Sequence, residues 1–236
     1  MSATRDAAFA RRLGAIPLLW MLAFLLLPLL LIGKVSLAES ALAQPPFTDL
    51  FGRDGDGGLV WQGSLQAFAL VLDDPWYREG LLGALRMASL TTLACLALGL
   101  PMAWCIARAP TAWRTPLLLL VILPFWTSFL IRVYAWMGLL KPTGPVSALL
   151  QDLGWIEAPL ALLHTDTAVL LGMSYAYLPF MVLPLYATFA RLDGAVLEAA
   201  ADLGAGPLRT FVSVALPMAR SGVAAGCLLV FIPAVG

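Results

Sequence analysis

Long apolar runs separated by short polar segments dominate the chain. A transmembrane helix needs about 20 mostly apolar residues, and charged residues rarely fall inside one. The uncharged runs of about this length are 15–33, 87–107, 115–131, 167–190 and 221–236. The pattern therefore predicts an all-α integral membrane protein with five transmembrane helices.

The first and last runs need separate comment. The first run contains Pro17 and Pro28, and no small-residue cleavage motif follows it closely. Both features favour a retained helix over a signal peptide. The last run stops at Gly236 without a polar flank. We therefore expect a C-terminal portion to be missing, so that five helices are a minimum.

Composition agrees with a membrane protein. Of the 236 residues, 61% are hydrophobic and 12% are charged, and the mean hydropathy is +0.89. Soluble domains are about 45–50% apolar and about 25% charged. Basic and acidic residues number 14 each, so net charge does not indicate nucleic acid as a partner. We therefore predict that a lipid bilayer surrounds most of the surface of the protein.

The charges are distributed unevenly among the polar segments. Basic residues are denser on one side of the predicted membrane, and this is the cytoplasmic side by the positive-inside rule. We therefore expect residues 1–14 to be a cytoplasmic N-terminal tail, 38–80 a periplasmic loop and 191–218 a cytoplasmic loop. The basic residues on that side are Arg5, Arg11, Arg12, Arg108, Arg114, Arg191, Arg209 and Arg220. Most acidic residues fall outside, which suits a cationic substrate but is also the ordinary distribution of acids in membrane proteins.

Candidate sites for metals and nucleotides are weak. The stretch FGRDGDGG resembles a calcium loop, but Leu65 stands where the last glutamate ligand would be. His164 is the sole histidine, and the three cysteines, Cys95, Cys105 and Cys227, lie in apolar runs and are predicted to be structural thiols. No phosphate-binding loop motif occurs. We expect no cofactor in this chain, so active transport would take its energy from another polypeptide.

The segment LEAAADLGAGPLRTFVSVALP interrupts the apolar pattern at residues 197–217. Asp193 is a good N-cap for a helix over residues 194–203, and Gly204 stands where helices commonly end. Gly206 and Pro207 then predict the start of a second short helix, which Pro217 closes. Two short helices joined by a tight elbow are expected.

Two interpretations of this segment are compatible with its residues. Glu198 and Asp202 are like-charged i,i+4 neighbours, and the small cost of this pairing is tolerable if Arg191, Arg209 or a partner protein supplies a basic group. The alanines at 199–201 allow close approach of another backbone. These features favour a docking element for a partner protein. The alternative is an amphipathic hairpin on the bilayer. Its lipid-facing side chains would be Leu197, Leu203, Leu208 and Phe211.

The same segment resembles the signature loop of permeases of ATP-binding cassette (ABC) importers, E-A-A-x3-G-x9-[IV]-x-L-P. The matching residues are Glu198, Ala199, Ala200, Gly204, Val214, Leu216 and Pro217. Further stretches, above all LPFWTSFLIRVYAWMGLLK at 123–141, resemble the spermidine/putrescine branch and most closely putrescine permeases of the PotH type. The resemblance implies that residues 15–236 form a MetI-like transmembrane domain of type I importers. Five of its six expected helices would be present, with the final helix missing.

The resemblance also implies partners and a location. Such permeases work as pairs in the bacterial inner membrane, with two cytoplasmic ABC ATPases that bind ATP and Mg²⁺. A periplasmic polyamine-binding protein delivers the substrate. The residues implied in coupling to the ATPase are Glu198, Ala199, Ala200, Asp202, Gly204, Leu216 and Pro217.

A polyamine path calls for aromatic faces and carboxylates, because cation–π contacts contribute roughly 0.5–2 kcal/mol each. The candidates on the third and fourth spans are Trp126, Ser128, Tyr134, Trp136, Ser174, Tyr175, Tyr177 and Phe180. Interfacial belts and ordinary packing also use aromatic residues, so this assignment stays open. Arg132 is a poor ligand for a cation and is expected to be a structural anchor or half of an ion pair.

Two alternatives remain from the sequence. The chain could carry another small organic cation or solute, or it could be a truncated, non-transporting membrane component.

Overall fold

The structure is a computed structural model that describes residues 2–39, 41, 44–53 and 58–236; the side chains of 2–14, 16, 53 and 59 are outside the description. The chain divides into two units, Met1–Gly80 and Leu81–Gly236. The elements in chain order are α1 (Ser2–Ser36), β1 (Phe51–Arg53), β2 (Leu59–Trp61), α2 (Gln66–Asp73), α3 (Pro75–Arg108), α4 (Thr111–Ile122), a 3-10 turn (Leu123–Trp126), α5 (Phe129–Leu140), α6 (Pro145–Asp152), α7 (Asp166–Phe189), α8 (Gly194–Asp202), α9 (Pro207–Thr210), a π-helical turn (Phe211–Ala215), α10 (Leu216–Met218) and α11 (Arg220–Val235).

The first unit holds an apolar helix and a small hairpin. β1 and β2 pair antiparallel with Phe51 opposite Trp61, whose rings meet edge to face at 5.3 Å. The Lys34 Nζ donates to Asp49 Oδ1 at 2.8 Å, and this hydrogen bond and charge hold the pKa of the Asp49 carboxyl below its usual range. The predicted helical class is confirmed with this short hairpin added. Residues 54–57 of the calcium-loop resemblance lie outside the described residues.

Three helices in the described part of the chain are long and apolar enough to cross a membrane, and the number is five if each of two bent pairs counts as one span. The three spans formed by a single helix lie at Pro17–Ser36, Pro75–Arg108 and Asp166–Phe189. They contain the first, second and fourth predicted runs almost entirely. The third and fifth runs lie in the bent pairs.

The third predicted span is not a straight helix. α4 ends at Ile122, and the segments Thr111–Trp126 and Phe129–Asp152 meet at an angle of 91°. Pro124 has no N–H to continue the helical ladder, and the Thr127 hydroxyl donates to the Pro124 carbonyl at 2.8 Å. Thr127 and Ser128 then adopt extended backbone before α5 begins. The prediction of a continuous helix over 115–131 was therefore wrong.

The fifth predicted span begins one residue early, at Arg220, and is bent by 72° from the helical segment Pro207–Met218 before it. Pro217 does not close that segment, contrary to the prediction. A proline is tolerated in the first turn of a helix, and Pro217 occupies this position in α10. The break falls two residues later at Ala219, whose φ and ψ are −88° and 8°.

Small residues pack the second unit. On α11 the buried positions recur every four residues, at Gly222, Gly226, Val230 and Ala234. A Cβ on Gly226 would lie 2.7 Å from the Met181 Sδ and 3.3 Å from the Met181 carbonyl oxygen. Close backbone approach of this kind drives helix association in lipid, where the hydrophobic effect contributes little. The contact between α7 and α11 therefore depends on glycines.

α3 packs on α7 through a similar row of small residues. A Cβ on Gly99 would lie 2.8 Å from the Met181 Cγ, so Met181 is enclosed from two sides. The buried Cys95 thiol donates to the Ser174 carbonyl at 3.4 Å, which agrees with a structural thiol. Cys227 is partly buried, whereas Cys105 is exposed, so the prediction of packed structural thiols does not hold for Cys105.

Candidate functional site

A cleft of about 600 Å³ lies between α5 and α7 in the second unit. Its floor and walls are aromatic and aliphatic side chains from the 3-10 turn, one face of α5 and one face of α7. The charged or titratable lining residues are Arg132, His164, Tyr175 and Tyr177. The aromatic and sulfur-containing lining residues are Phe125, Phe129, Trp136, Met137, Met173, Tyr175, Tyr177 and Phe180.

The rings of the cleft support one another edge to face. Phe125 and Phe180 are perpendicular with centroids 5.0 Å apart, and Trp136 meets Tyr175 at 5.5 Å and 67°. Edge-to-face pairs of this kind contribute roughly 0.5–1.5 kcal/mol beyond the area that they bury. They fix the walls contributed by α5 and α7 relative to each other. The faces of these four rings are therefore held in fixed positions along the cleft.

The polar groups of the cleft are few. The Tyr177 hydroxyl donates to the Pro233 carbonyl on α11 at 3.1 Å, so its hydrogen is committed to holding α7 against α11. No aspartate or glutamate is among the residues that line the cleft in the described part of the chain. A bound cation would therefore meet ring faces here, and a carboxylate would have to come from outside this cleft.

The eight path candidates from the sequence do not all meet. Trp136, Tyr175, Tyr177 and Phe180 line the cleft together. The remaining four lie elsewhere: Trp126, Ser128 and Tyr134 are exposed and outside the lining, and Ser174 is buried behind it. The Ser174 Oγ has no hydrogen-bond partner among the described residues. Tyr175 also borders a second, more apolar cleft of about 450 Å³ between α3, α4 and α7.

Sequence reasoning missed several lining residues. Phe129, Arg132 and Trp136 recur at spacings of three and four and so share one face of α5. That periodicity was present in the sequence, but the predicted helix over 115–131 ended before Arg132 and Trp136. His164 lies in the loop just before α7 and borders the cleft. Its backbone is left-handed, with φ of 68°. Nothing in the sequence pattern indicated that this histidine would border the cleft.

The hairpin of residues 193–218 is the second candidate site. The Asp193 carboxylate accepts from the Ala195 N–H at 3.0 Å, as expected for the N-cap of α8. Gly204 has φ of +80°, and its N–H donates to the Ala201 carbonyl while the Ala205 N–H donates to the Ala200 carbonyl. These two bonds are the Schellman arrangement, which requires a left-handed residue at this position. The predicted cap, helix and elbow are therefore all present.

α8 presents its acidic side outward. Glu198 and Asp202 are exposed, and the one ion pair found among the described residues is Lys34–Asp49. Neither carboxylate of α8 is thus paired with Arg191 or Arg209. Of the other residues matched to the signature loop, Ala199, Gly204 and Pro217 are exposed, and Ala200, Val214 and Leu216 are partly buried. The exposed residues form a low-bulk, negatively charged surface.

The apolar residues of the hairpin divide into two groups. Leu197 is 5% exposed and belongs to the core, and Phe211 packs against that core. Leu203 and Leu208, by contrast, are 89% and 75% exposed. The bilayer interpretation required all four side chains to be available to lipid, and two of them are occupied inside the protein. The two exposed leucines flank the elbow beside the acidic surface of α8.

An aromatic cluster connects the hairpin to two long helices. Trp104 of α3 meets Phe189 at the end of α7 at 5.3 Å, and meets Phe211 of the π-helical turn at 5.2 Å. Phe189 and Phe211 are 6.1 Å apart, which closes the triangle. The hairpin is therefore in direct contact with both α3 and α7 through these rings. The Arg108 guanidinium covers the Trp104 ring at 5.1 Å.

Permeases of polyamine transport systems are similar to this chain over most of its length. No protein-family model matches the chain. The chain is 41% identical over 218 residues to the spermidine/putrescine transport system permease protein PotB of Escherichia coli (strain K12), covering 92% of this chain and 74% of that protein. It is equally similar to PotB of Salmonella typhimurium (strain SL1344), with 92% of this chain and 71% of that protein covered.

A solved structure shows the same fold. It is the crystal structure of a bacterial ABC transporter involved in the import of the acidic polysaccharide alginate, and the TM-score is 0.68. The match covers 98% of this chain and 78% of that chain at 18% identity. The similarity to the two PotB proteins, at 41% identity over 92% of this chain, establishes the class of the molecule. The chain belongs to the permease family of ABC transporters that includes the PotB proteins.

Proposed function

We propose that this chain is a permease subunit of an ABC importer for polyamines, and that putrescine is its principal substrate. The observation that carries the proposal is the aromatic cleft between α5 and α7, in a chain 41% identical to permeases named for spermidine and putrescine transport. Ring faces attract ammonium groups, and a linear diammonium ion offers one at each end. No carboxylate lines the cleft among the residues that the structure describes, which suits passage rather than tight retention.

In this proposal, Trp136, Tyr175, Tyr177 and Phe180 form this chain's part of the translocation path. Each ring face would contribute roughly 0.5–2 kcal/mol to an ammonium group that passes it. Trp126, Ser128 and Tyr134 lie outside the cleft and Ser174 lies behind it, so we assign them no contact with substrate in this state.

The hairpin couples the path to ATP hydrolysis in a separate ATPase. α8 would seat in a groove of that ATPase, with Glu198 and Asp202 facing basic groups and Ala199 and Ala200 permitting close approach. Gly204 supplies the elbow, and Leu216 and Pro217 join the hairpin to α11. The unpaired carboxylates of α8 and the exposed Leu203 and Leu208 support a protein partner at this surface.

The assembly that we propose has two permease subunits, this chain and a different one, with two cytoplasmic ATPases that bind ATP and Mg²⁺. A periplasmic polyamine-binding protein delivers substrate from outside. The complex would lie in the bacterial inner membrane with the N-terminus of this chain in the cytoplasm, as the distribution of arginines favours.

Uptake of radiolabelled putrescine by cells that express the assembled system tests the proposal. The gene is deleted at its chromosomal position, which should remove the saturable component of uptake, and is then restored. Unlabelled putrescine and spermidine should compete, whereas anionic solutes should not. Strong uptake of an anionic solute with none of diamines would contradict the substrate assignment.

The alternative of a non-transporting membrane component is tested separately. The chain is purified with its partners, and ATP hydrolysis in lipid is measured with and without the loaded binding protein. Stimulation of hydrolysis supports a transport subunit. A complex with no ATPase bound to this chain would favour the non-transporting alternative.

A further inference from the structure

Arg132 is a cation enclosed in the wall of a cleft that we have proposed for cations. Its guanidinium carbon lies 5.5 Å from the centre of the Phe125 ring and 5.8 Å from that of Phe129. The side chain therefore occupies a ring face on the 3-10 turn and another on α5. Those two faces are satisfied by this chain's own arginine and are not open to a substrate ammonium group.

The rings do not satisfy the hydrogen-bond donors of this arginine. Nε and Nη1 are shielded from solvent and have no hydrogen-bond partner among the described residues. Shielded donors on a charged group carry a large desolvation penalty when they remain unpaired. The arrangement is incomplete without an acceptor.

The described part of this chain offers no acidic acceptor near Arg132. The lining of the cleft contains no aspartate or glutamate, and the one ion pair found among the described residues joins Lys34 and Asp49. Among the described residues, Nε and Nη1 are thus left open to an acceptor from a partner molecule. Aromatic and aliphatic side chains surround the guanidinium, and such an apolar environment suits burial against another protein. Water would satisfy the donors only in a hydrated site.

We propose that Arg132 is a docking point for a carboxylate of the second permease subunit. This inference rests on the proposed function, in which two permease chains enclose the path. A lone arginine favours a single carboxylate over a lipid headgroup, since phosphates of lipids are usually held by clusters of basic residues. The cleft provides one arginine, with His164 as the other nitrogen base in its lining. The carboxylate would neutralise the charge of Arg132. The other four rings of the cleft, those of Trp136, Tyr175, Tyr177 and Phe180, would stay available to the substrate.

A charge-swap experiment tests this pairing. Arg132→Glu is introduced in this chain, the assembled complex is purified through a tag on this chain, and the amount of second permease per chain is measured. We expect a loss of at least about tenfold, as is typical when one member of a buried charge pair is reversed. Each aspartate and glutamate of the second permease is then changed singly to arginine in the Arg132→Glu background. One position should restore at least half of the wild-type yield.

Two further variants control for folding. Lys141→Glu makes the same charge change at an exposed residue directly after α5 and should leave the yield unchanged. Arg132→Met removes the unpaired donors, so the membrane level of this chain should be at or above wild type while the yield of second permease still falls. A wild-type yield for Arg132→Glu, or no restoring position in the second permease, would overturn the proposal. Restoration by an acidic residue of the binding protein, or a dependence on anionic lipid, would also overturn it.

Putrescine uptake by the wild-type strain is recorded in parallel. Absence of that uptake with a successful charge swap would contradict the polyamine substrate and leave the pairing intact. Normal uptake without any restoring position would contradict the pairing alone.

Discussion

Trp104 and Phe211 meet with ring centroids 5.2 Å apart and an interplanar angle of 63°. The first residue belongs to a 34-residue helix and the second to the π-helical turn that follows the elbow of the hairpin. Edge-to-face pairs of this kind contribute roughly 0.5–1.5 kcal/mol beyond the area that they bury, so the contact ties the turn to the long helix. In the proposed transporter, this pair lies between the ATPase-binding surface and the helices of the path.

Trp104→Ala should therefore weaken coupling more than it weakens assembly. Removing the indole deletes contacts with both Phe189 and Phe211, and we expect ATPase co-purification within about twofold of wild type with uptake reduced at least fivefold. Uptake and substrate-stimulated ATP hydrolysis are measured on the same preparations. Trp113→Ala removes an exposed tryptophan of α4 and serves as the control. Equal effects of the two substitutions would show that the aromatic cluster has no special role.

Glu198→Lys tests the docking surface. Reversal of an exposed charge on α8 should leave the membrane level unchanged, because Glu198 has no ion-pair partner among the described residues. The expected result is loss of ATPase association and of ATP-dependent uptake. Gly204→Trp should act in the same way by placing a large side chain on a residue with φ of +80°. Glu157→Lys, at an exposed acid outside the hairpin, is the matched control; normal uptake in both hairpin variants would exclude the docking role.

Gly226→Val should disrupt the packing of α7 against α11. The added Cβ would come within 2.7 Å of Met181 Sδ, and Met181 cannot move away easily because it also lies against Gly99. Overpacking of this kind costs about 1–3 kcal/mol. The measurement is the thermal stability of the purified complex. Gly138→Val on α5, where an added Cβ meets no atom within 4 Å, should change the melting temperature much less.

Trp136→Ala should raise the KM for putrescine uptake. Loss of one ring face removes roughly 0.5–1 kcal/mol of cation–π attraction, which corresponds to an increase of about two- to fivefold. Tyr175→Ala should give a similar increase, since Tyr175 supports the Trp136 ring at 5.5 Å. Tyr134→Ala, on the same helix but outside the cleft lining, should leave the KM unchanged. The same KM change in all three variants would place the path elsewhere.

The sequence predicted the spans better than it predicted their shape. Apolar length alone located α3 and α7, because a helix in lipid must satisfy its own backbone groups wherever the run is long enough. Apolar length could not place the 91° bend, because membrane helices tolerate proline and Pro124 alone does not show that the helix breaks there. The helix breaks because Thr127 and Ser128 adopt extended backbone, and this local conformation depends on packing.

The hairpin was predictable and the cleft was not. Asp193, Gly204 and Pro207 each impose a local backbone requirement, so their spacing was sufficient to give α8, its elbow and the next helix. The cleft depends on which faces of α5 and α7 oppose each other across a bent segment. Trp136 and Tyr134 are equally plausible from sequence, and the rotation of α5 brings one of them into the lining and leaves the other exposed.

The most direct test of the account is ATP-dependent accumulation of labelled putrescine in liposomes that contain the assembled complex and its binding protein. We predict accumulation that requires ATP, is abolished by Glu198→Lys and is reduced by excess unlabelled putrescine or spermidine. Accumulation that is unaffected by Glu198→Lys, or transport of an anionic solute in place of putrescine, would contradict the account.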